Sequence, residues 1–578
     1  MKYLFASLFH PYEFPPIGLA YVAAALRHTG RNVIGFKPAQ MDDQMESLTQ
    51  KISEESVDVV CFGELSAFFP VLRRAIATVR EHFPSVKIIV GGGIITAEPE
   101  FIVEHLDMDF GCVGYGEETI CEFADCLESG GDFSKIKGLI YKDTNGRMII
   151  NPPRSEPDDL DSIPFPAYEL FGWRGGKNHE LIIVGSRSCP YKCTFCFHPS
   201  GYVYKQRSID NIFAEIEYWR EKFKFKVHCM LDELIGLKKE RILEFCRRFK
   251  EYSVPFTLSL HANMISDGLG SVLADAGCIT VTMGLESMCQ TVLDSIGKKT
   301  TTQQIEKALA VLSKYRIGLN CNLMFGDPVE TYDMARETLN WWFKHHEYSI
   351  SVSLVIPYPG TELYKYGLST GRITDRRKFL EHGCPPLNLS VMTDVEYEKL
   401  RDEIYYLNNL RGEPVASIQI ESNAHGAVAF YGICPQCGRN SLLAIGNSIK
   451  TLAYSHFPCV CAQRMRLPSE YRAMLQQDIY FDLFDFVGKK VAVWGASPQA
   501  KFRLAANPRM KKAVSVVIDR NHEKFERFLG FDVISPNSLS ASDFDVLYIG
   551  TRLRQQVLDT ARSIIGDEMN KKEIIPII

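Results

Sequence analysis

No stretch of the 578 residues is apolar for long enough to make a membrane-spanning helix. Excess positive charge is missing too: 65 Lys and Arg stand against 70 Asp and Glu, a net charge of −5, so nothing advertises a nucleic-acid partner. Internal repeats and low-complexity tracts are absent. The opening MKYLFASLFHPYEFPP has a short apolar run broken by His10 and Pro11, and reads as a first strand rather than a secretory leader. Seventeen cysteines without such a leader are expected to stay reduced, which points to the cytoplasm.

What is present in quantity is chain. A single core is excluded at this length, and about three or four domains are expected. Most cysteines, among them Cys61, Cys112, Cys121, Cys126, Cys246, Cys278 and Cys289, sit singly in apolar settings as small hydrophobes. Two groups have ligand spacing. The first is SRSCPYKCTFCFHP, residues 186–199, where Cys189, Cys193 and Cys196 follow the apolar run 181–185. As iron–sulfur ligands these thiolates are one fewer than a [4Fe–4S] cube takes, leaving one iron for an exchangeable ligand. The alternative is a zinc loop with His198 as fourth donor. The second group is Cys434-Pro-Gln-Cys437 with Cys459-Val-Cys461, a four-cysteine zinc knuckle in a small lobe over residues 415–478. An auxiliary iron–sulfur cluster or no metal are its alternatives, and His456 can replace one thiolate of the close pair. A lobe with so little apolar core needs such a staple.

The rest reads as a multidomain α/β chain. Over residues 1–135 apolar strands alternate with helices, which predicts a doubly wound parallel sheet with its ligand rim at 63–67, 91–96 and 114–118. Residues 136–175 form a linker: a strand pair, 138–141 and 147–150, then prolines at 152, 153, 157, 164 and 166 that deny regular structure. Over 176–400 six strands each end in polar residues, the pattern of a partial (β/α)6 barrel with its chemistry at that rim. Residues 486–578 predict a Rossmann-like lobe. There Asp519 stands where a ribose acid belongs, yet the first turn carries only Gly495 of the three-glycine fingerprint, which favours docking or partner presentation over nucleotide binding.

The cysteine loop, with Phe195 just before its last cysteine, resembles the signature of the radical S-adenosylmethionine (SAM) superfamily. MGLESMCQTVLDSIGKKT and VIPYPGTELY resemble that family's fourth- and sixth-strand motifs, and FGDPVET its fifth, with Asp327 and Val329 replacing the usual residues. PPIGLAYVAAALRHTG, CFGELSAF, VGGGIITAEPE and VGYGEETICEFAD together resemble the cobalamin-binding domain that precedes many such enzymes. No Asp-x-His-x-x-Gly run offers cobalt a lower histidine, and Lys37 stands where an Asp is expected.

The resemblance implies a radical SAM enzyme with a [4Fe–4S] cluster on Cys189, Cys193 and Cys196, with SAM and cobalamin as further cofactors. It puts Glu286 at the SAM amino group or ribose, Asp232 and Glu233 beside the methionine end, and His261 and Asn263 near the ribose. Ser66, Gly92, Gly93 and Thr96 would cradle the dimethylbenzimidazole tail. No catalytic residue is singled out, though His261, Tyr358, Tyr202 and Tyr204 are candidates for a substrate acid or base. Cys384 reads as a packed thiol or a solitary functional one. The implied reaction is hydrogen abstraction from an unactivated centre followed by methyl transfer from methylcobalamin. A cobalamin-linked cyclase, rearrangement or oxidation enzyme is the alternative, and a cobalamin or redox sensor the third. The implied partners are a small-molecule or carrier-bound substrate and an electron donor such as flavodoxin or ferredoxin, with no nucleic acid and no membrane.

Overall fold

Lys2–Ala6 (β1) buries every residue past its first, as a strand covered by helices on both faces must. In this computed structural model β1 pairs in parallel with β2 (Asn32–Phe36) and β3 (Val59–Gly63). β4 (Lys87–Gly91) and β5 (Phe110–Cys112) continue the sheet in parallel. β6 (Leu139–Lys142) and β7 (Met148–Ile150) close it as an antiparallel hairpin, giving the order β2-β1-β3-β4-β5-β6-β7. The hairpin from the expected linker therefore covers the open edge of β5, a strand of three residues.

The structure describes residues 1–8, 15–38, 44–173, 180–199, 201, 203–225, 227–345, 348, 350–410, 413–422, 428–435, 438–445, 457–458, 464–468, 471, 489–506, 508–524, 527–549 and 554–576. They fall into two compact units, Met1–Ile404 and Tyr405–Ile578.

In the first unit a second sheet follows. Its strands are β8 (Glu180–Ile183), β11 (Val227–Met230), β12 (Phe256–Ser259), β13 (Cys278–Glu286), β14 (Gly318–Phe325) and β15 (Ile350–Leu354), while β9 (Ser186–Arg187) and β10 (Lys205–Gln206) form a separate two-stranded ribbon. The six strands run parallel in the order β15-β14-β13-β12-β11-β8, each beside its chain neighbour. That connectivity sends every strand's carboxyl end to one rim, where ligands of such sheets gather. The intervening helices start on side-chain caps. Ser208, Ser266 and Thr331 accept the backbone N–H three residues on, and Thr301 forms a full capping box with Gln304.

The two sheets of this unit share packing. Helix Phe69–His82 buries Phe69, Leu72, Ala75, Ile76 and Val79, a single face at helical spacing. The same core takes in Tyr364, Ile373, Phe379, Leu380 and Cys384 from the segment that follows β15. Cys384 is 1 % exposed there, so the packed reading describes it.

The second unit holds a three-stranded antiparallel sheet of Ile418–Ser422, Val428–Ile433 and Asn440–Ile445. It also holds a five-stranded parallel sheet in the spatial order Val533–Ile534, Val514–Ile518, Val491–Trp494, Val546–Ile549, Glu573–Pro576. Asp519 ends the second strand of that sheet by sequence. Its carboxylate accepts the backbone N–H groups of Ala496 and Asn521, both at 2.8 Å, so it pins the Gly495 turn.

Candidate functional site

The cysteine loop is closed at its base. β9 and β10 pair antiparallel, Ser186 with Gln206 and Arg187 with Lys205, so the chain between them is a loop tied at both ends. Ser188 enters it in a left-handed turn, φ 66°, with its hydroxyl donating to the Gly201 carbonyl. Cys189, Cys193 and Cys196 are each free of disulfides and partly exposed, whereas most other described cysteines are buried. Burial raises all three thiols, Cys196 to about 12, with Glu233 adding to the rise at Cys189 and Cys196. Coordination reverses that preference, because a bound metal ion deprotonates its thiol ligands.

Three adjacent, accessible thiols on a loop held from both ends fit the donor set of a cluster with one open iron. His198, next in the loop, donates its Nδ1 hydrogen to Glu233 Oε2 at 2.9 Å. Among the described residues no three His, Cys, Asp or Glu side chains converge on the position of one metal ion. A four-iron cube makes no such demand, since each thiolate meets a separate iron.

The loop is held on several sides. Arg187 pairs with Glu117 of the first sheet's helix Gly116–Ser129 and lies 5.2 Å from the Tyr21 ring centroid and 5.8 Å from that of Tyr115. Thr194 donates its N–H to the Ile296 carbonyl at 3.0 Å, and its own carbonyl accepts Leu363 N–H at 3.1 Å. Phe197, next to Cys196, fills the space that a side chain at Gly93 or Gly360 would need. A Cβ at Gly93 would stand 3.0 Å from the ring, and one at Gly360, where φ is 87°, 2.7 Å. Gly93 belongs to the first sheet's rim and Gly360 to the turn after β15, so this ring joins both to the loop.

Around the loop stand the acids singled out in the sequence. Asp232 is 5 % exposed; burial pushes its carboxyl up to about 6, against Ser186, whose Oγ donates to Oδ1 at 2.7 Å. Glu233 keeps 37 % of its side chain exposed and is the open carboxylate of the pair. His261 is buried, which lowers its pKa. Its Nε2 donates to the Lys298 carbonyl at 3.0 Å, its Nδ1 accepts the Asn263 N–H, and its ring stacks on Tyr191 at 4.4 Å. Asn263 is exposed, with its amide 3.4 Å from the Tyr191 hydroxyl. Glu286 adopts φ 67°, a conformation costly for any residue but glycine, and its Oε1 accepts Lys298 Nζ at 2.8 Å. Sequence reasoning missed Lys298, Arg187 and Phe197; the only signal for Lys298 was its place in the GKK that follows helix Gln290–Ile296.

The acid and base candidates are largely committed to structure. Tyr204 donates to the Leu234 carbonyl at 3.1 Å, and both nitrogens of His261 are engaged. Burial raises the Tyr358 phenol, and Ser66 and the Ala67 N–H hydrogen-bond it. Tyr202 lies outside the described residues.

At the first rim the four residues expected at the tail of a corrinoid separate by role. Ser66 is 1 % exposed, under Tyr358. Thr96 Oγ1 donates to the Gly92 carbonyl at 2.9 Å and accepts Gly114 N–H at 3.0 Å. Gly93 is buried against Phe197. Gly92 is exposed at φ 83°, and a Cβ there would stand 2.8 Å from the Glu64 carbonyl oxygen, so only glycine lets this turn lie against the backbone after β3. Lys37 is also on this domain, its ammonium lowered to about 8 by burial. Of the knuckle, Cys434 is buried beside Val415 and Met465, and its carbonyl accepts Gly438 N–H at 2.9 Å; Cys437, His456, Cys459 and Cys461 lie outside the described residues.

Comparison with known proteins falls on these same two sheets. The B12 binding domain family matches residues 10–124, and the Radical SAM superfamily matches residues 183–341. The uncharacterized methyltransferase PH0819 of Pyrococcus horikoshii is 26% identical over 410 residues, 69% of this chain and 88% of the relative. The anaerobic magnesium-protoporphyrin IX monomethyl ester cyclase of Rubrivivax gelatinosus is 23% identical over 368 residues, 61% of this chain and 66% of the relative. Among solved structures, the radical SAM methyltransferase TsrM from Kitasatospora setae, with cobalamin and a [4Fe–4S] cluster bound, shares the fold at a TM-score of 0.55 and 18% identity, over 64% of this chain and 76% of that one. With a B12 binding domain on the first sheet and the three-cysteine loop on the second, the chain is a cobalamin-dependent radical SAM enzyme.

Proposed function

We propose that the chain is a methyltransferase acting on an unactivated centre of a small-molecule or carrier-bound substrate. The observation that carries this reading is Phe197: one ring, beside the last thiol, packs on Gly93 of the first rim and on Gly360 of the second. Groups bound at the two rims would then be near neighbours. When bound, the cluster supplies the electron that cleaves SAM and the corrinoid supplies the methyl group. The residues of the chain hold, orient and shield. Cys189, Cys193 and Cys196 hold iron, and Glu233, half exposed beside His198, offers a carboxylate to an ammonium group.

On this reading residues 1–135 bind cobalamin, the hairpin within 136–175 completes their sheet and the rest of that segment links, 176–400 form a partial (β/α)6 barrel, 415–478 carry a four-cysteine zinc knuckle and 486–578 present partners. A low-potential donor such as flavodoxin or ferredoxin in the cytoplasm supplies electrons. The named cyclase relative supports a second reading, radical cyclisation without methyl transfer.

The test is anaerobic reconstitution with iron, sulfide and hydroxocobalamin, followed by iron and cobalt analysis and product quantification. One cluster, stoichiometric cobalt and S-adenosylhomocysteine alongside 5′-deoxyadenosine are expected. Cobalt binding with 5′-deoxyadenosine alone would transfer support to the cyclase reading.

A further inference from the structure

The second sheet has one sealed face and one open face, and the open face is polar. Along β12 to β15 one alternate set of side chains is closed off: Leu258, Val281, Met283, Cys321, Leu323 and Val352 are at most 4 % exposed. The opposite set includes Thr282, Asn320, Asn322, Ser351 and Ser353, all half-buried or exposed. Barrels of this type ordinarily fill their interior with branched apolar side chains, so hydroxyls and amides there keep it from closing as a core.

These five side chains form one strip. Strand register sets Thr282 beside Asn320 and Asn322 beside Ser351. Asn320 Nδ2 donates to Thr282 Oγ1 at 3.2 Å, and Asn322 Nδ2 donates to Ser353 Oγ at 3.0 Å. Ser351 Oγ stands 3.0 Å from the Cys321 carbonyl and 3.1 Å from Asn322 Oδ1, with one hydrogen for the two. Each amide keeps a second N–H, so capacity to donate and to accept is left over on the open side. Charge is absent: the four strands hold no Lys, Arg or Asp, and their one Glu, Glu286 at the end of β13, is neutralised by Lys298 at 2.8 Å.

The strip leads up to the cysteine loop. Gly284, two residues past Thr282, lies under the Glu286–Lys298 pair: a Cβ there would collide with Glu286 Oε1 and come within 2.6 Å of Lys298 Nζ. Met324, two residues past Asn322, packs with Phe195 of the loop against Val355, Leu363 and Leu389. Asn322 is thus one strand repeat, about 7 Å, below a residue that shares packing with the loop.

We propose that this strip is the substrate site and that it takes a neutral, hydroxyl-rich group, a sugar or cyclitol ring. The inference deepens the reading of the chain as a methyltransferase of a small-molecule or carrier-bound substrate, and rests on it. Ring hydroxyls each donate and accept, as the side chains of the strip do, so neither partner is left with an unmatched group. A phosphate or carboxylate would give up its water and meet no counter-charge on these strands. An apolar ring would leave the amides unpaired, the mismatch by which polar sites reject ligands that lack hydroxyls.

The test is saturation-transfer NMR on the reconstituted, SAM-bound holoenzyme without reductant. Myo-inositol and methyl α-glucopyranoside are the probes, with myo-inositol phosphate and cyclohexanol as charged and apolar counterparts. Transfer to a neutral polyol and none to the counterparts is expected. Thr282→Val should weaken the polyol's dissociation constant about fivefold, and Asn322→Leu, which loses donor and acceptor together, about tenfold, with SAM affinity by calorimetry at the wild-type value. Should Asn322→Leu fail to fold, the near-isosteric Thr282→Val decides. No transfer to either polyol, stronger transfer to the phosphate or to cyclohexanol, or an unmoved polyol affinity in the variants overturns the proposal. Lost SAM affinity in the variants assigns the strip to SAM and overturns it as well. The product analysis given above decides methyl transfer separately: no S-adenosylhomocysteine there, with polyol contact here, overturns that reading and leaves the strip a ligand site.

Discussion

The phenol oxygen of Tyr358 accepts the backbone N–H of Ala67 at 3.1 Å, across 291 positions of sequence. Tyr358 follows β15 and Ala67 follows β3, so this bond ties the rim of one parallel sheet to the rim of the other. The phenol lies 6.0 Å from the Phe197 ring, centroid to centroid, and the joint therefore continues into the cysteine loop.

Tyr358→Phe removes the oxygen and leaves the Ala67 amide without that partner. A lost hydrogen bond of this kind costs about 1 kcal/mol. The thermal midpoint of the apo-protein should fall slightly. In the reconstituted enzyme more 5′-deoxyadenosine should form per methyl transferred, because the two rims are held less firmly together. An unchanged product ratio would confine Tyr358 to stability.

Gly360→Ala meets two obstacles. Its φ of 87° disfavours any Cβ, and that Cβ would sit 2.7 Å from the Phe197 ring. Overpacking costs about 1–3 kcal/mol, and here the yielding partner is the residue next to Cys196. Iron content after reconstitution should drop several-fold, and Phe197→Leu in the same chain should restore part of it. Full iron occupancy in the single variant would show that the loop accommodates the added carbon.

Asp232 gives a pH dependence with a definite sign. Its carboxyl titrates near 6 in the folded chain against the ordinary 3.8, burial being the main cause and the Ser186 hydrogen bonds opposing it. A group whose pKa is raised by folding favours the folded state while protonated, and loses that contribution as pH rises through the folded value. Between about pH 4 and pH 6 the wild type should thus lose on the order of 2–3 kcal/mol that Asp232→Asn does not lose. Thermal midpoints of the two proteins across this range would show the gap widening with pH. A constant gap would mean that Asp232 is ionised throughout.

Much of the architecture was legible because it is locally encoded. Apolar strands alternating with capped helices announce parallel sheets, and Ser208, Ser266, Thr301 and Thr331 mark helix starts by short-range hydrogen bonds. The thiol triad was legible for the same reason, since its three ligands lie within eight positions. Contacts between distant segments were not. Nothing in the order of residues foretells that Phe197 fills the space over Gly93 and Gly360, that Arg187 reaches Glu117, or that Lys298 holds Glu286. Ser66, Thr96, Asp519 and His261 carry contacts of the same hidden kind. Each side chain is engaged in hydrogen bonds within the fold that composition and spacing do not reveal.

The cysteines allow the sharpest contrast within one chain. Cys189, Cys193 and Cys196 are partly exposed on one tied loop, whereas Cys384 is sealed in the core beside Phe379 and Leu380. Alanine at any of the first three removes a ligand that the other two cannot replace, so iron content should collapse and 5′-deoxyadenosine formation should cease. Alanine at Cys384 removes only a sulfur from an apolar site, at a cost of about 1 kcal/mol, and should leave both readouts near wild type. Iron analysis and product quantification on the four variants, prepared side by side, separate the two kinds of thiol. Continued 5′-deoxyadenosine formation by Cys193→Ala would refute the cluster assignment, and its loss in Cys384→Ala with iron intact would give that buried thiol a part in the reaction.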